Sequence, residues 1–268
     1  MSVASPAMAL DNVPGWFYRV DRHVFEHLLG WQNSTARRGD IAELGTFVGK
    51  TAILLGAFLL DGQRLTVCDL FGEPTEDKEN QAEVETFYRR NPGEQNTSSL
   101  MADTYDRMRA AFEQNYLSFH PELPHIVQGP TARAREYVEP NSYRFVHVDA
   151  SHLHRNVRDD IGVSRDLLAD DGILALDDFR KEVTPGVAAA AWEAVATRGL
   201  RPVCVTNNKL YGTWGDPAPA QRTLEEWAEG RPGYLTLVQE VFGQRLLILV
   251  DKDAMRGPAS EAPVTSER

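Results

Sequence analysis

The chain has 268 residues, 28 of them Lys or Arg and 39 Asp or Glu, for a formal net charge of −11. That acidic balance excludes a nucleic-acid surface as the default, because phosphate binding is built on clustered positive charge. With 42% hydrophobic and 25% charged residues, the chain has a globular composition and is long enough to bury a core without disulfides or a structural metal.

Cys68 and Cys204 are the only cysteines, too few and too far apart for a disulfide framework or a thiolate zinc site. The first ten residues show no basic segment leading into an apolar run, and no stretch of about 18 apolar residues occurs. The expectation is a cytoplasmic protein that meets neither membrane nor nucleic acid.

Trp16, Phe17, Tyr18, Val20, Val24, Phe25, Leu28 and Leu29 recur at mostly helical spacing and predict a helix ending near Gly30. Ile41-Ala42-Glu43-Leu44 running into Gly45 predicts a short strand. Thr51 to Leu60 predicts an apolar helix stopped by Asp61-Gly62, and Leu65 to Leu70 a second buried strand. Strand, helix, strand is the βαβ unit of a parallel sheet.

About residues 73–120 form a polar insertion without strand signals. Ala82, Val84, Phe87 and Tyr88 suggest one helix in it, and Met101, Thr104, Tyr105, Met108, Ala111, Phe112, Asn115 and Tyr116 a second. It is either a pair of helices packed on a sheet edge or a lid over the ligand crevice. The α/β rhythm then resumes with a strand at His125–Gly129, a short helix from Ala132 to Tyr137, a strand at Tyr143–Asp149 and a helix from Asn156 to Leu168. Asp171-Gly172 turns the chain into a strand at Ile173–Asp178, followed by an Ala-rich helix from Pro185 to Arg198. Val203–Thr206 and Leu210–Trp214 flank Asn207-Asn208 and suit a hairpin. A helix around Thr223–Ala228 and an apolar strand from Arg245 to Asp251 follow. The expectation is one α/β domain over residues 1–255, a seven-stranded, mostly parallel sheet with a helical insertion and a C-terminal addition, and a disordered tail over 256–268.

Three places carry chemistry. The first is Glu43-Leu44-Gly45-Thr46-Phe47-Val48-Gly49-Lys50-Thr51, with Asp69 ending the next strand. Glycines at a strand-to-helix turn let backbone approach a ligand, and an acid after the second strand can accept hydrogen bonds from ribose hydroxyls. Nucleoside binding follows. A P-loop places four residues between its glycines, whereas Gly45 and Gly49 enclose three. The spacing E-x-G-x-x-x-G instead resembles the first motif of class I S-adenosylmethionine (SAM) dependent methyltransferases, Rossmann-like α/β enzymes. That resemblance implies that Glu43, Gly45, Thr46, Gly49, Thr51, Asp69 and Asp149 line the SAM site.

The second and third places are Val148-Asp149-Ala150-Ser151-His152 and Leu176-Asp177-Asp178-Phe179, where apolar strands run out at the ligand edge of the sheet. Carboxylates brought that close repel unless a proton or cation lies between them, and hard oxygen ligands suit Mg²⁺ or a similar divalent ion. The D-x-x-H after the fourth strand and the D-D after the fifth resemble metal-dependent O-methyltransferases of the macrocin type, which modify sugar hydroxyls of natural products. The resemblance spans about residues 38–180. It implies Asp149, Asp177 and Asp178 as metal ligands, His152 as general base, and a hydroxylated small molecule, such as a sugar moiety of a secondary metabolite, as methyl acceptor. The chain departs from the family in its Ala150-Ser151 pair and lacks the extra N-terminal domain of longer members, so acceptor identity does not transfer.

Two alternatives stay open: a P-loop-like nucleotide hydrolase using Lys50, Thr51 and Asp177, and a relative that binds SAM without transferring methyl. His147, inside a strand, reads as a hydrogen-bonded core residue, His23 and His27 as a packed or exposed helix face, and His154 as a spare base or a helix cap. Arg155 and Arg158 read as solvated cations; Tyr88, Arg89 and Arg90 could meet an acidic or sugar substrate or simply form a charged helix surface. A homodimer is the default assembly.

Overall fold

The computed structural model describes residues 10–90, 107–137 and 139–255, the side chains of 84, 87–90 and 255 excepted. Its centre is β1 (Asp40–Leu44), whose Ile41, Ala42, Glu43 and Leu44 are all buried, as a strand flanked on both faces by helices requires. β1 pairs in parallel with β2 (Leu65–Asp69) on one side and β4 (Tyr143–Val148) on the other. β3 (His125–Gln128) adds to β2, and β5 (Leu168–Leu176) to β4, both in parallel. β6 (Arg201–Val205) and β7 (Leu210–Thr213) form the antiparallel hairpin expected around Asn207-Asn208, with β7 lying between β5 and β6.

Two helical layers cover the sheet. One face carries α1 (Arg19–Ser34), α2 (Lys50–Gly56), α4 (Met108–Leu117) and α8 (Ala218–Glu229), which bury Phe25, Leu29, Leu55, Phe112 and Leu224 among others. The other carries α6 (His154–Leu167) and α7 (Pro185–Thr197), with Val157, Ile161, Ala190 and Ala194 against Val146, Val148 and Leu174. α3 (Lys78–Arg90) belongs to the insertion, and a 3₁₀ turn, Thr131–Arg133, leads into the short α5 (Ala134–Tyr137). No helix among the described residues is long and apolar enough to cross a membrane.

The sheet corrects the expectation of seven strands. Among the described residues it has nine, in the order β3-β2-β1-β4-β5-β7-β6-β9-β8. β8 (Tyr234–Val241) was not anticipated; it pairs antiparallel with β9 (Gln244–Asp251), which joins β6 in parallel, so the C-terminal addition extends the same sheet. Asp171-Gly172 is not a turn before β5 but part of a bulge inside it: Tyr143 faces Leu168, and the next paired residue, Phe145, faces Ile173. α2 ends at Gly56, short of Leu60. Residues 101–106 of the second insertion helix and the tail 256–268 lie outside the described residues.

Candidate active site

β1 delivers the chain into the glycine turn. Gly45 has φ +83°, and a Cβ there would sit 2.1 Å from the backbone oxygen of Asp149, so the close approach of β1 and β4 at their C-terminal ends admits only glycine. Gly49, at φ +92°, precedes α2 and faces the ring of Phe112. Between them the Asp69 carboxylate, at the end of β2, accepts hydrogen bonds from the N–H groups of Thr46 (2.6 Å) and Phe47 (3.0 Å) through Oδ2, and from Phe71 N–H (2.7 Å) through Oδ1. Burial pushes its pKa up while these donors oppose that. The predicted ribose acid therefore also fixes the shape of the turn.

Glu43 lies beneath the turn rather than on its surface. Its carboxylate accepts from Thr46 Oγ1 at 2.5 Å and lies 2.8 Å from His147 Nδ1. His147 Nε2 is 3.1 Å from Lys209 Nζ, and Lys209 is ion-paired with Asp177. Glu43, His147 and Lys209 are each at most 1% exposed, so a dry polar chain runs from the glycine turn across β1 and β4 to the end of β5. Desolvation would lower the Lys209 pKa, but Asp177, Asp149 and Asp21 raise it above the usual lysine value, and Lys209 in turn holds Asp177 below the carboxylate range against its own burial.

Asp149, Asp177 and Asp178 meet at this edge, as the ends of β4 and β5 dictate. One ligand atom of Asp149 lies within 4.8 Å of atoms on His147 and Asp177, and a second set within the same limit joins Asp149, His152 and Asp178. The three aspartates thus share Asp149 as a common member of two sets and do not form one tight trio. Asp178 has φ +56°, a left-handed conformation rare for a non-glycine residue and frequent at functional sites. Asn208 Nδ2 donates to Asp177 Oδ1 and, at 3.2 Å, to Asp178 Oδ1. Burial and the neighbouring carboxylates drive the Asp149 pKa well above its ordinary value.

His152 lies between two acids: Nε2 is 2.9 Å from Asp178 Oδ2 and Nδ1 is 3.0 Å from Glu83 Oε1. Burial alone would lower its pKa, but the hydrogen bonds to Asp178 and Glu83 outweigh that and raise it to about 10. Glu83 also accepts from His152 N–H (2.7 Å) and Ser151 Oγ (2.6 Å), and Lys181 Nζ is 2.7 Å from Asp178 Oδ1. None of Glu83, Lys181, Asn208 and Lys209 stands out in the sequence, because none sits in a recognisable spacing with the aspartates.

The remaining predicted residues have other partners. Thr51 is buried in the first turn of α2, and Lys50 Nζ donates to the carbonyl of Gly15 at 3.1 Å, away from the position a phosphate-binding lysine takes. His23 contacts the Tyr234 hydroxyl, and His27 Nε2 is 2.9 Å from Thr223 oxygens. His154 Nε2 is 2.8 Å from Glu193. Arg155, exposed as a solvated cation would be, also ion-pairs with Asp77 and Glu79 of the insertion, and Arg158 contacts Asp159. The side chains of Tyr88, Arg89 and Arg90 lie outside the described residues.

A family model for a methyltransferase domain matches residues 42–179, which contain the glycine turn, Asp69 and all three aspartates. The chain belongs to that methyltransferase family. No curated protein matches the sequence at a significant level. Among solved structures, the O-methyltransferase NovP superposes with a TM-score of 0.52 at 17% identity, over 73% of this chain and 81% of that one. A protein from Corynebacterium glutamicum gives 0.49 at 13% identity over 80% and 93%, and the calicheamicin methyltransferase CalS11 0.48 at 16% over 80% and 88%. The NovP likeness is one of fold. This methyltransferase uses SAM as methyl donor, and the P-loop alternative falls with the family assignment.

Proposed function

We propose that this methyltransferase transfers the SAM methyl group to a hydroxyl of a small molecule, such as a sugar moiety of a secondary metabolite, with a divalent metal ion, Mg²⁺ or a similar one, at Asp149, Asp177 and Asp178. Glu43, Gly45, Thr46, Gly49, Thr51, Asp69 and Asp149 form the proposed SAM side of the crevice, and His152 is the proposed base. The observation that carries this reading is the position of Asp149, within ligand distance of Asp177 in one set and of His152 and Asp178 in another. The shared fold with NovP, an O-methyltransferase, is in keeping with an oxygen acceptor.

The donor set fits a hard cation. All three proposed ligands are carboxylates, and while Lys209 pairs with Asp177 and Lys181 with Asp178, Asp149 has no such ion pair among the described residues. A divalent ion supplies, when bound, Lewis acidity that brings the pKa of an alcohol towards neutrality. The protein's own residues do the rest. Asp178 and Glu83 hold His152 protonated at rest, so it acts as base only after it has given up the Nε2 proton and Asp178 no longer holds that position, and Lys181, already 2.7 Å from Asp178, is an alternative partner for that carboxylate. Glu83 holds Nδ1, which leaves Nε2 as the atom that receives the hydroxyl proton. The turn around Gly45 fixes the donor, so that much of the barrier reduction comes from alignment, up to about 7–11 kcal/mol for well-oriented partners.

Calorimetry with SAM, with and without Mg²⁺, tests this together with a screen of glycosylated metabolites as acceptors. The expected result is SAM binding, and turnover that a chelator and Asp178→Ala each abolish. Turnover indifferent to both would make the lysine-paired aspartates a structural cluster and sink the metal half of the proposal.

A further inference from the structure

β8 ends the sheet with one edge unused. Its only strand neighbour among the described residues is β9, with which it pairs over eight consecutive residues without a bulge. Most of the strand is exposed, including Leu237 at 47% and Val238 at 50%. Edge strands of monomers are normally blunted by lysines, prolines, bulges or shortness, because their free N–H and C=O groups recruit another strand. From Tyr234 to Val241 none of these devices occurs, and Glu240 is the only charged residue.

We infer that β8 is a homodimer interface, at which two copies pair their β8 strands antiparallel about a two-fold axis and continue one sheet through both subunits. The sequence of the strand selects this occupant. A two-fold axis perpendicular to a sheet keeps each residue on its own face, so it must centre on a residue, and centring it on Val238 makes the strand self-complementary. Val238 then faces the partner's Val238, Leu235 faces the partner's Val241, and Leu237 faces the partner's Gln239. Glu240 faces the partner's Thr236, so no like charges oppose each other, and each Glu240 keeps Arg245 as its neighbour on β9. Centring on Leu237 instead would set Leu235 against Gln239 and Val238 against Thr236, splitting the apolar pairs. Closed two-fold pairing also leaves no free β8 edge to propagate. The inference is independent of the acceptor and of the metal.

Both native cysteines are buried, so an introduced thiol reports on the interface alone. The wild-type chain is expected to sediment as a dimer at micromolar concentration, and Val238→Lys as a monomer with unchanged circular dichroism and thermal unfolding. Mild oxidation of the V238C chain should give a covalent dimer, while V183C, exposed elsewhere at 79%, should not. Amide exchange in β8 should be slow in the wild type and fast in V238K. A wild-type monomer, a V238K chain that still dimerises, or a V238C chain that cross-links no better than V183C would each overturn the inference. So would slow β8 exchange in a monomer, which would mean that a segment of the same chain covers the edge.

Discussion

Glu83, on a helix inserted between the second and third strands, receives the backbone N–H of His152 at 2.7 Å and lies 3.0 Å from its Nδ1. The insertion thus reaches into the site and fixes which imidazole nitrogen faces Asp178. Replacing Glu83 by Gln removes the negative charge that favours Nδ1–H. Methyl transfer to an accepted hydroxylated compound should fall roughly ten- to a hundred-fold, the range found when a histidine loses its orienting carboxylate. SAM affinity should stay near wild type, because the polar partners of Glu83 among the described residues are Ser151 and His152. Labelled-SAM turnover and calorimetry separate the two, and a parallel loss of SAM binding would count against an orienting role.

Lys209 is 1% exposed and paired with Asp177, itself 6% exposed. Truncating one partner of a buried pair leaves the other charge uncompensated, at a cost of roughly 3–5 kcal/mol. Lys209→Met should therefore destabilise the fold by about that much, and Asp177→Asn in the same chain should recover part of it, since coupled neighbours do not add. Urea denaturation of the two single variants and the double variant measures the coupling. Additive losses would show that the pair is not a unit.

Much of this arrangement is legible in the sequence, for a physical reason. β1, β2, β4 and the second half of β5 are largely apolar and buried because both faces are covered, and their C-terminal ends are marked by Gly45, Asp69, Asp149 and Asp177 where the chain meets the crevice. Lys209 is not legible: it merely follows the Asn207-Asn208 turn, yet its ammonium points inward to His147 and Asp177. Glu83 lies 69 residues from His152 in a polar stretch, and only the tertiary fold brings the two together. β8 escapes because none of its apolar residues is fully buried and Leu237 and Val238, adjacent in sequence, are both exposed, so no alternating pattern marks it. Its signal is the two-residue turn Phe242-Gly243, both residues at positive φ, between runs rich in β-branched residues and leucine.

The two turn glycines are not equivalent. At Gly45 an added Cβ would meet backbone, the Asp149 oxygen at 2.1 Å, whereas at Gly49 it would meet the Phe112 ring at 2.8 Å, a buried side chain rather than backbone. Both positions also carry the left-handed penalty, about 1–2 kcal/mol or roughly tenfold in an equilibrium. Gly45→Ala should therefore lose SAM binding by clearly more than tenfold and lower the melting temperature more than Gly49→Ala does. Calorimetry with SAM and thermal scans of the two variants give the ranking, and a reversed order would refute the backbone-contact explanation.

Asp160, away from the site on α6, is 3% exposed and accepts a hydrogen bond from Thr131. Burial pushes its pKa from 3.8 up to about 7, against the opposing hydrogen bond. The folded chain then holds this proton more tightly than the unfolded chain, so between about pH 4 and 7 the native state binds more protons. Stability must fall as pH rises through that window, and level off above it. The loss from this one group is at most roughly 4 kcal/mol. Asp160→Asn keeps an acceptor for Thr131 and has no proton to lose, so its stability should decline less between pH 5 and 8 than that of the wild type. Asp21, raised to about 6 mainly by burial, contributes the same sign in both chains and cancels in the difference. Urea midpoints at the two pH values make the comparison, and parallel behaviour of the two chains would show that Asp160 is already ionised in the folded protein at pH 5.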